Sequence, residues 1–365
     1  SLELLMQSSR EQIDSLTGLR AVAAVWVMLM HFREITPTRV WEFPVIDRLV
    51  ANGAYGVDIF FVLSGFILCH VYAGSFRSGV STDHVRRFLV YRFARIYPVH
   101  LVTFAIVLAL LAAKLATSGW SGLPNRYDPA TIATTLTLTH AWVPSIQTPN
   151  MPAWTISAEW FAYILFPALC FFLSYFRWAA PIYAATGLGL AMFLPVWHYS
   201  LVHVLSGFLI GMAVYWSMPA LSRAKFGRFT GLTVAVAVVF WANATAPRLE
   251  LGLLLFAVLM VILADPRDLL SRFLSFGPIV YLGVISYSLY MVHWPARIIM
   301  RNVFEIFDLL DTLPPALIVS SYVLVTLLGA MASYHFVELP GRALLRRAAT
   351  AYGHARITAA DARLD

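Results

Sequence analysis

The stretch 18–33, GLRAVAAVWVMLMHFR, decides how this chain is read, because Arg20 and His31 bracket ten almost wholly apolar residues, Ala21 to Met30. An α-helix rises about 1.5 Å and turns about 100° per residue, so eleven steps return the two side chains to nearly one face, about 16 Å apart along the axis. A run this apolar fits a bilayer, where an ionisable side chain costs roughly 2.5–3.5 kcal/mol on insertion scales. Arg20 near one membrane face and His31 deep in the span are therefore functional candidates.

The rest of the chain agrees. Its 365 residues are 60% hydrophobic and 12% charged, with a mean hydropathy of +0.74, against roughly 25% charged residues in soluble domains. The net charge of +7 does not point to nucleic acid, because Lys and Arg punctuate apolar runs instead of forming one basic stripe. Cys69 and Cys170 lie inside apolar runs, which predicts buried free thiols. The first run lacks a short apolar core followed by a small-residue cleavage site and is expected to insert uncleaved.

A helical span needs about 20 mostly apolar residues, and ten candidates emerge: 16–33, 55–74, 93–116, 154–176, 178–196, 198–217, 229–246, 249–264, 277–299 and 315–337. The expectation is an all-α polytopic bundle of about ten transmembrane helices. With both termini cytoplasmic, seventeen Lys and Arg fall inside and eight outside, as the positive-inside bias requires. One membrane domain over 1–347 is expected, followed by a polar cytoplasmic tail, 348–365. Two stretches are neither span nor short turn. The external loop 118–153 is Gly- and Pro-rich around an apolar patch, a length that suits a lid or re-entrant segment. The internal segment 75–95 holds the densest cationic cluster.

Several polar residues stand out against this background. Arg92 and Arg95, three apart, share a helical face and can fork a phosphate or serve as positive-inside anchors. Asp58, in Gly56-Val-Asp58, is read as a helix cap. Ser64 and Gly65 allow close approach of another helix or a ligand. Glu159, in Trp154-Thr-Ile-Ser157-Ala-Glu159, is acidic within a strongly apolar run, so it is protonated, paired with Arg, or orienting a histidine. Ser286, Tyr290 and His293, with Tyr287 alongside, form one polar stripe. Glu338 and Arg342, four apart, are read as a structural helix-end pair.

Taken in order, five motifs resemble the acyltransferase-three family of bacterial membrane O-acyltransferases. They are Arg20-x10-His31, GVDIFFVLSGF at 56–66, Arg92-x-x-Arg95, Trp154-x-x-Ser157-x-Glu159, and SYSLYxxH ending at His293. The family's first motif often reads Asp-Gly-Leu-Arg; here it is Asp14-Ser-Leu-Thr-Gly18-Leu-Arg20, with the Arg-to-His spacing intact. The resemblance implies ten helices in the bacterial inner membrane and an acyl-coenzyme A donor, with acetyl the expected group. It also implies a sugar, glycan or lipid-linked acceptor, as in lipopolysaccharide modification, and a stand-alone membrane module. On that reading His31 is the general base and Glu159 its catalytic partner. Arg20, Arg92, Arg95 and Tyr97 bind the donor, and Asp58, Ser64, Trp154, Ser157, Ser286, Tyr287, Tyr290 and His293 line the pocket. No metal and no permanently bound cofactor is expected. The competing reading is a proton-coupled transporter using His31, Glu159 and His293, though neither internal repeats nor broken spans in both halves are visible.

Overall fold

The computed structural model describes residues 13–77, 79–118, 127–143, 148–194, 199–221 and 226–349. Among them there is helix and no strand. In chain order the helices are α1 (Asp14–Arg33), α2 (Pro44–Ala51), α3 (Gly56–Phe76), α4 (Thr82–Ser118), α5 (Pro129–Leu136), α6 (Trp154–Tyr175), α7 (Ala180–Phe193) and α8 (Ser200–Leu221). They continue as α9 (Thr230–Ala242), α10 (Leu249–Leu263), α11 (Leu269–Leu274), α12 (Gly277–Val284), α13 (Ser286–Ile306), α14 (Leu309–Thr312) and α15 (Pro315–Ser333). The tail 348–365 lies outside the described residues from 350 onward.

All ten apolar segments fold as helix, but among the described residues six helices are long and apolar enough to cross a membrane: α1, α3, α4, α6, α8 and the one beginning at Pro315. The other expected spans differ. Helices α7, α9 and α10 have 14, 13 and 15 residues. At 1.5 Å per residue they fall short of the roughly 30 Å hydrocarbon core. The expected span 277–299 is two helices, α12 and α13, meeting at the buried Ile285. There Gly283 packs directly on the Thr17 carbonyl, leaving no room for a Cβ. The basic segment 75–95 is not a connecting stretch, because α4 begins at Thr82 and runs 37 residues through Pro98. Its Arg92 and Arg95 are thus held on a rigid helix continuous with the span.

The bundle is held together where small residues meet backbone. Gly65 of α3 sits on the Phe208 carbonyl, Gly207 of α8 on the Phe61 Cβ, and Gly211 on the Val62 carbonyl. Helices in lipid gain no hydrophobic driving force from one another, so this close approach supplies the dispersion contacts instead. Gly56 packs likewise on the Ala23 carbonyl of α1, which lies at the centre, touching α3, α12 and α13. The outer faces carry exposed apolar side chains such as Val236, Phe240, Leu324 and Leu328, as lipid contact requires.

The segment 127–143 is docked. Asp128 caps α5 by accepting from the Thr131 amide at 2.7 Å. His100 of α4 contacts the Thr135 carbonyl at 2.9 Å, and its ring stacks on that of His140. Ser157 donates to the Leu138 carbonyl at 2.8 Å and accepts from the Ala141 amide at 3.0 Å. Ser157 is therefore a fastener for this segment and not a pocket-lining residue, contrary to expectation. A hydroxyl in the first turns of a helix is well placed to satisfy the loop's backbone groups.

A cationic cavity and an imidazole pair

A partly open cavity of about 170 Å³ lies among α1, α3, α4, α6 and α13. Its polar lining comprises Arg20, Arg92, Arg95, Arg342, Ser64, Glu159, Thr155, Tyr163, Ser286, Tyr287 and Tyr290. Eight of the residues expected to bind or line a site thus converge here. Arg342 was missed: its spacing from Glu338 marked it as structural. That pair does exist, at 3.5 Å. A π turn over Tyr334–Glu338, after which the last helix runs on to Ala349, buries Glu338 completely. Glu338 accepts from Ser288 at 2.8 Å, and Arg342 faces the cavity.

The cationic groups outnumber their partners. Arg92 donates to the Tyr72 hydroxyl at 2.9 Å and lies 5.2 Å from the centre of that ring. Glu159 accepts from Ser64 at 2.7 Å. Arg20 and Arg95 form no ion pair with any described carboxylate. Guanidinium groups confined together without matching carboxylates repel one another, and a polyanion such as phosphate relieves that repulsion while accepting their hydrogens. Ser286, buried with its Oγ unpartnered, also faces the cavity.

His31 does not line this cavity. Its ring is buried, stacked on His293 with centroids 5.2 Å apart and planes 18° apart, with Trp294 edge-on at 5.3 Å. Tyr290 connects the two places: it lines the cavity, and its ring lies 5.7 Å from that of His293. The carboxylate beside His31 is Glu34, at 3.4 Å from Nδ1, and not Glu159, whose hydrogen bond goes to Ser64 in the cavity. Arg297 binds both the His31 carbonyl at 2.9 Å and Glu34 at 3.0 Å. Burial pushes the Glu34 carboxyl up, but the His31 hydrogen bond and the charges of His31, Arg297 and Arg33 outweigh it and hold the group below its ordinary value. Glu34 was legible three residues after His31, one helical turn on. Its neighbour Arg297 was not.

The remaining expected residues lie elsewhere. Asp58 caps nothing; it is fully buried and binds His203 of α8 at 2.8 Å. Trp154 stacks on the same His203 at 5.5 Å, outside the cavity lining. His203 carried the signal used for His31, an ionisable residue in an apolar run, and was overlooked. Tyr97 stacks on Phe93 at 4.4 Å and packs outside the cavity. Cys69 and Cys170 are buried and free, as expected.

A helical membrane protein with a cationic cavity at one end of its central helix and two buried histidines at the other defines the class. Within it, the chain belongs to the acyltransferase-three family: a family model described as an acyltransferase domain matches residues 13–335. It is similar to the peptidoglycan O-acetyltransferase OatA of Listeria monocytogenes, 26% identical over 92% of this chain and 56% of the relative. It is also similar to the acyltransferase MdmB of Streptomyces mycarofaciens, 33% identical over 43% of this chain and 38% of the relative. The O-acetyltransferase OatA of Staphylococcus aureus is 22% identical over 92% of this chain and 58% of the relative. The chain spans about half the length of the relatives it matches over most of its own length. No solved structure matches it.

Proposed function

We propose that the protein is a multi-pass O-acyltransferase of the bacterial inner membrane. It moves an acyl group, acetyl in the simplest case, from cytoplasmic acyl-coenzyme A to a hydroxyl of a sugar or glycan. The observation that carries this reading is the cavity in which Arg20 and Arg95, which form no ion pair among the described residues, stand beside Arg92 and Arg342. The coenzyme phosphates satisfy those guanidiniums, and the thioester arm extends past Ser64, Glu159 and Ser286 toward Tyr290 and the imidazoles. Glu159 offsets cationic charge in the donor site, while Glu34 holds the base.

The chemistry follows from the tautomer. A Glu34 carboxylate can only accept, so His31 Nδ1 carries the hydrogen and Nε2 carries the lone pair. His31 Nε2 takes the proton of the acceptor hydroxyl as its oxygen bonds to the thioester carbonyl carbon. Collapse of the tetrahedral adduct breaks the carbon–sulfur bond, and the imidazolium returns its proton to the departing thiolate. Arg297 and Glu34 keep the ring oriented through both steps.

The transporter reading is set aside: the relatives are named as acyltransferases, and no hydrogen bond or ring contact joins Glu159 to His31 or His293 among the described residues. Membranes carrying the protein, given labelled acetyl-coenzyme A and a glycan acceptor, should yield acylated glycan. A folded His31→Ala protein should transfer at least about a hundredfold more slowly. Undiminished transfer would remove His31 from the mechanism.

A further inference from the structure

Two imidazoles end the route, and their tautomers are both determined by what they touch. His293 Nδ1 lies 2.5 Å from the Tyr290 carbonyl. A carbonyl only accepts, so Nδ1 carries the hydrogen and, in the neutral ring, Nε2 carries the lone pair. That Nε2 is buried and has no hydrogen-bond partner among the described residues. His31 has its basic nitrogen at Nε2 for the same reason, Nδ1 facing Glu34. Rings stacked 18° from parallel do not present a nitrogen of one to a hydrogen of the other, so neither lone pair satisfies its neighbour.

A third acceptor sits on a residue that binds the same turn of α13. The Asn150 amide nitrogen donates to the Met291 carbonyl at 3.3 Å and to Thr103 Oγ1 at 3.1 Å, leaving Asn150 Oδ1 buried without a partner. His293 Nε2 and Asn150 Oδ1 are thus both acceptors that lack a donor. Buried acceptors of this kind are met by an ordered water or by the hydroxyl of a ligand. The ligand they fit is a polyol, each of whose hydroxyls brings one hydrogen.

Resting on the acyl-transfer reading above, we infer that His293 Nε2 binds a second hydroxyl of the acceptor, next to the one that His31 deprotonates, so that the protein selects vicinal diols over isolated hydroxyls. The stacked rings, with centroids 5.2 Å apart, stand close enough together for one small polyol to meet both. The second hydroxyl donates its hydrogen to His293 and is not itself acylated in that orientation. It positions its neighbour over His31.

The test uses the full chain in proteoliposomes with labelled acetyl-coenzyme A and two probe acceptors, trans-1,2-cyclohexanediol and cyclohexanol. The wild type should prefer the diol about tenfold in kcat/KM, well above the twofold set by hydroxyl number, with the difference mainly in KM. In His293→Phe the preference should fall to about twofold. His293→Gln, whose amide oxygen can reach the place of Nε2, should restore part of it. A coenzyme A-dependent rise in melting temperature shows that each variant is folded. Equal use of the two alcohols per hydroxyl by the wild type, or an unchanged preference in His293→Phe, overturns the diol inference and leaves acyl transfer standing. Transfer to neither alcohol by a wild type that binds the donor overturns the acyl-transfer reading and this inference with it.

Discussion

Replacing Arg95 by Met should weaken donor binding without weakening the fold. Arg95 lines the cavity with Arg20, Arg92 and Arg342 and has no carboxylate partner among the described residues, so its charge is opposed by like charges until a phosphate enters. A hydrogen bond to a charged group contributes about 1.5–3 kcal/mol, which makes the dissociation constant for coenzyme A about 10- to 150-fold larger in the variant. Thermal unfolding in detergent reads this directly. Ligand at a hundred times the wild-type dissociation constant stabilises by about 2.7 kcal/mol; a hundredfold weaker variant retains about 0.4 kcal/mol. For a chain of this size that is a fall from about 3.5 °C to about 0.5 °C in the ligand-induced shift. Without ligand the variant should melt no lower than the wild type, since one repelling cation has gone. Arg301→Met, which breaks an exposed pair with Glu305, should leave the ligand-induced shift untouched. A full shift in Arg95→Met would refute the donor site, and a lower melting point without ligand would show Arg95 to be structural.

Other parts of the structure make their own predictions. Gly211→Ala places a Cβ against the Val62 carbonyl and should cost about 1–3 kcal/mol by forcing α3 and α8 apart, seen as a lower melting temperature. Asp58→Ala or His203→Ala alone leaves a buried polar partner and should destabilise by about 3–5 kcal/mol, whereas a double change to apolar residues should destabilise less than either. Burial, reinforced by His100, pushes His140 down to about 4, against about 6.5 unfolded. The unfolded chain therefore binds the proton first, so the neutral ring's stabilisation is complete above pH 6.5 and lost as pH falls toward 4, about 3 kcal/mol in all. Proteolysis of the segment around α5 should rise over that window in the wild type and stay flat in His140→Phe.

What the chain discloses in one dimension follows what each residue needs locally. Ten apolar segments were legible because lipid leaves a backbone little choice but helix. Their lengths were not: α7, α9 and α10 stop at 14, 13 and 15 residues, while α4 runs on for 37. That Arg20, Arg92, Arg95, Ser64, Glu159, Ser286, Tyr287 and Tyr290 would face protein and not lipid was legible because polar groups are costly in lipid, and they line one cavity. Pairings across the chain were not legible. Asp58 looked like a cap because the residue that binds it lies 145 positions away. Glu159 looked like the partner of His31 because both were lone ionisable groups, and the bundle places one with Ser64 and the other with Glu34. Ser157 passed for a pocket residue because nothing local shows that a distant loop needs its hydroxyl.

The central claim is that acyl-coenzyme A lies in the arginine-lined cavity with its thioester toward Tyr290 and the two histidines. A photoreactive acyl-coenzyme A, bound to the whole protein in membranes and mapped by mass spectrometry, tests it directly. The account predicts acyl-end labelling at Phe60, Thr155 or Tyr290, competed by coenzyme A and lost when Arg20 and Arg95 are both neutralised. Competed labelling confined to the lipid-facing surfaces of α9 and α15, with none at those three residues, would contradict it.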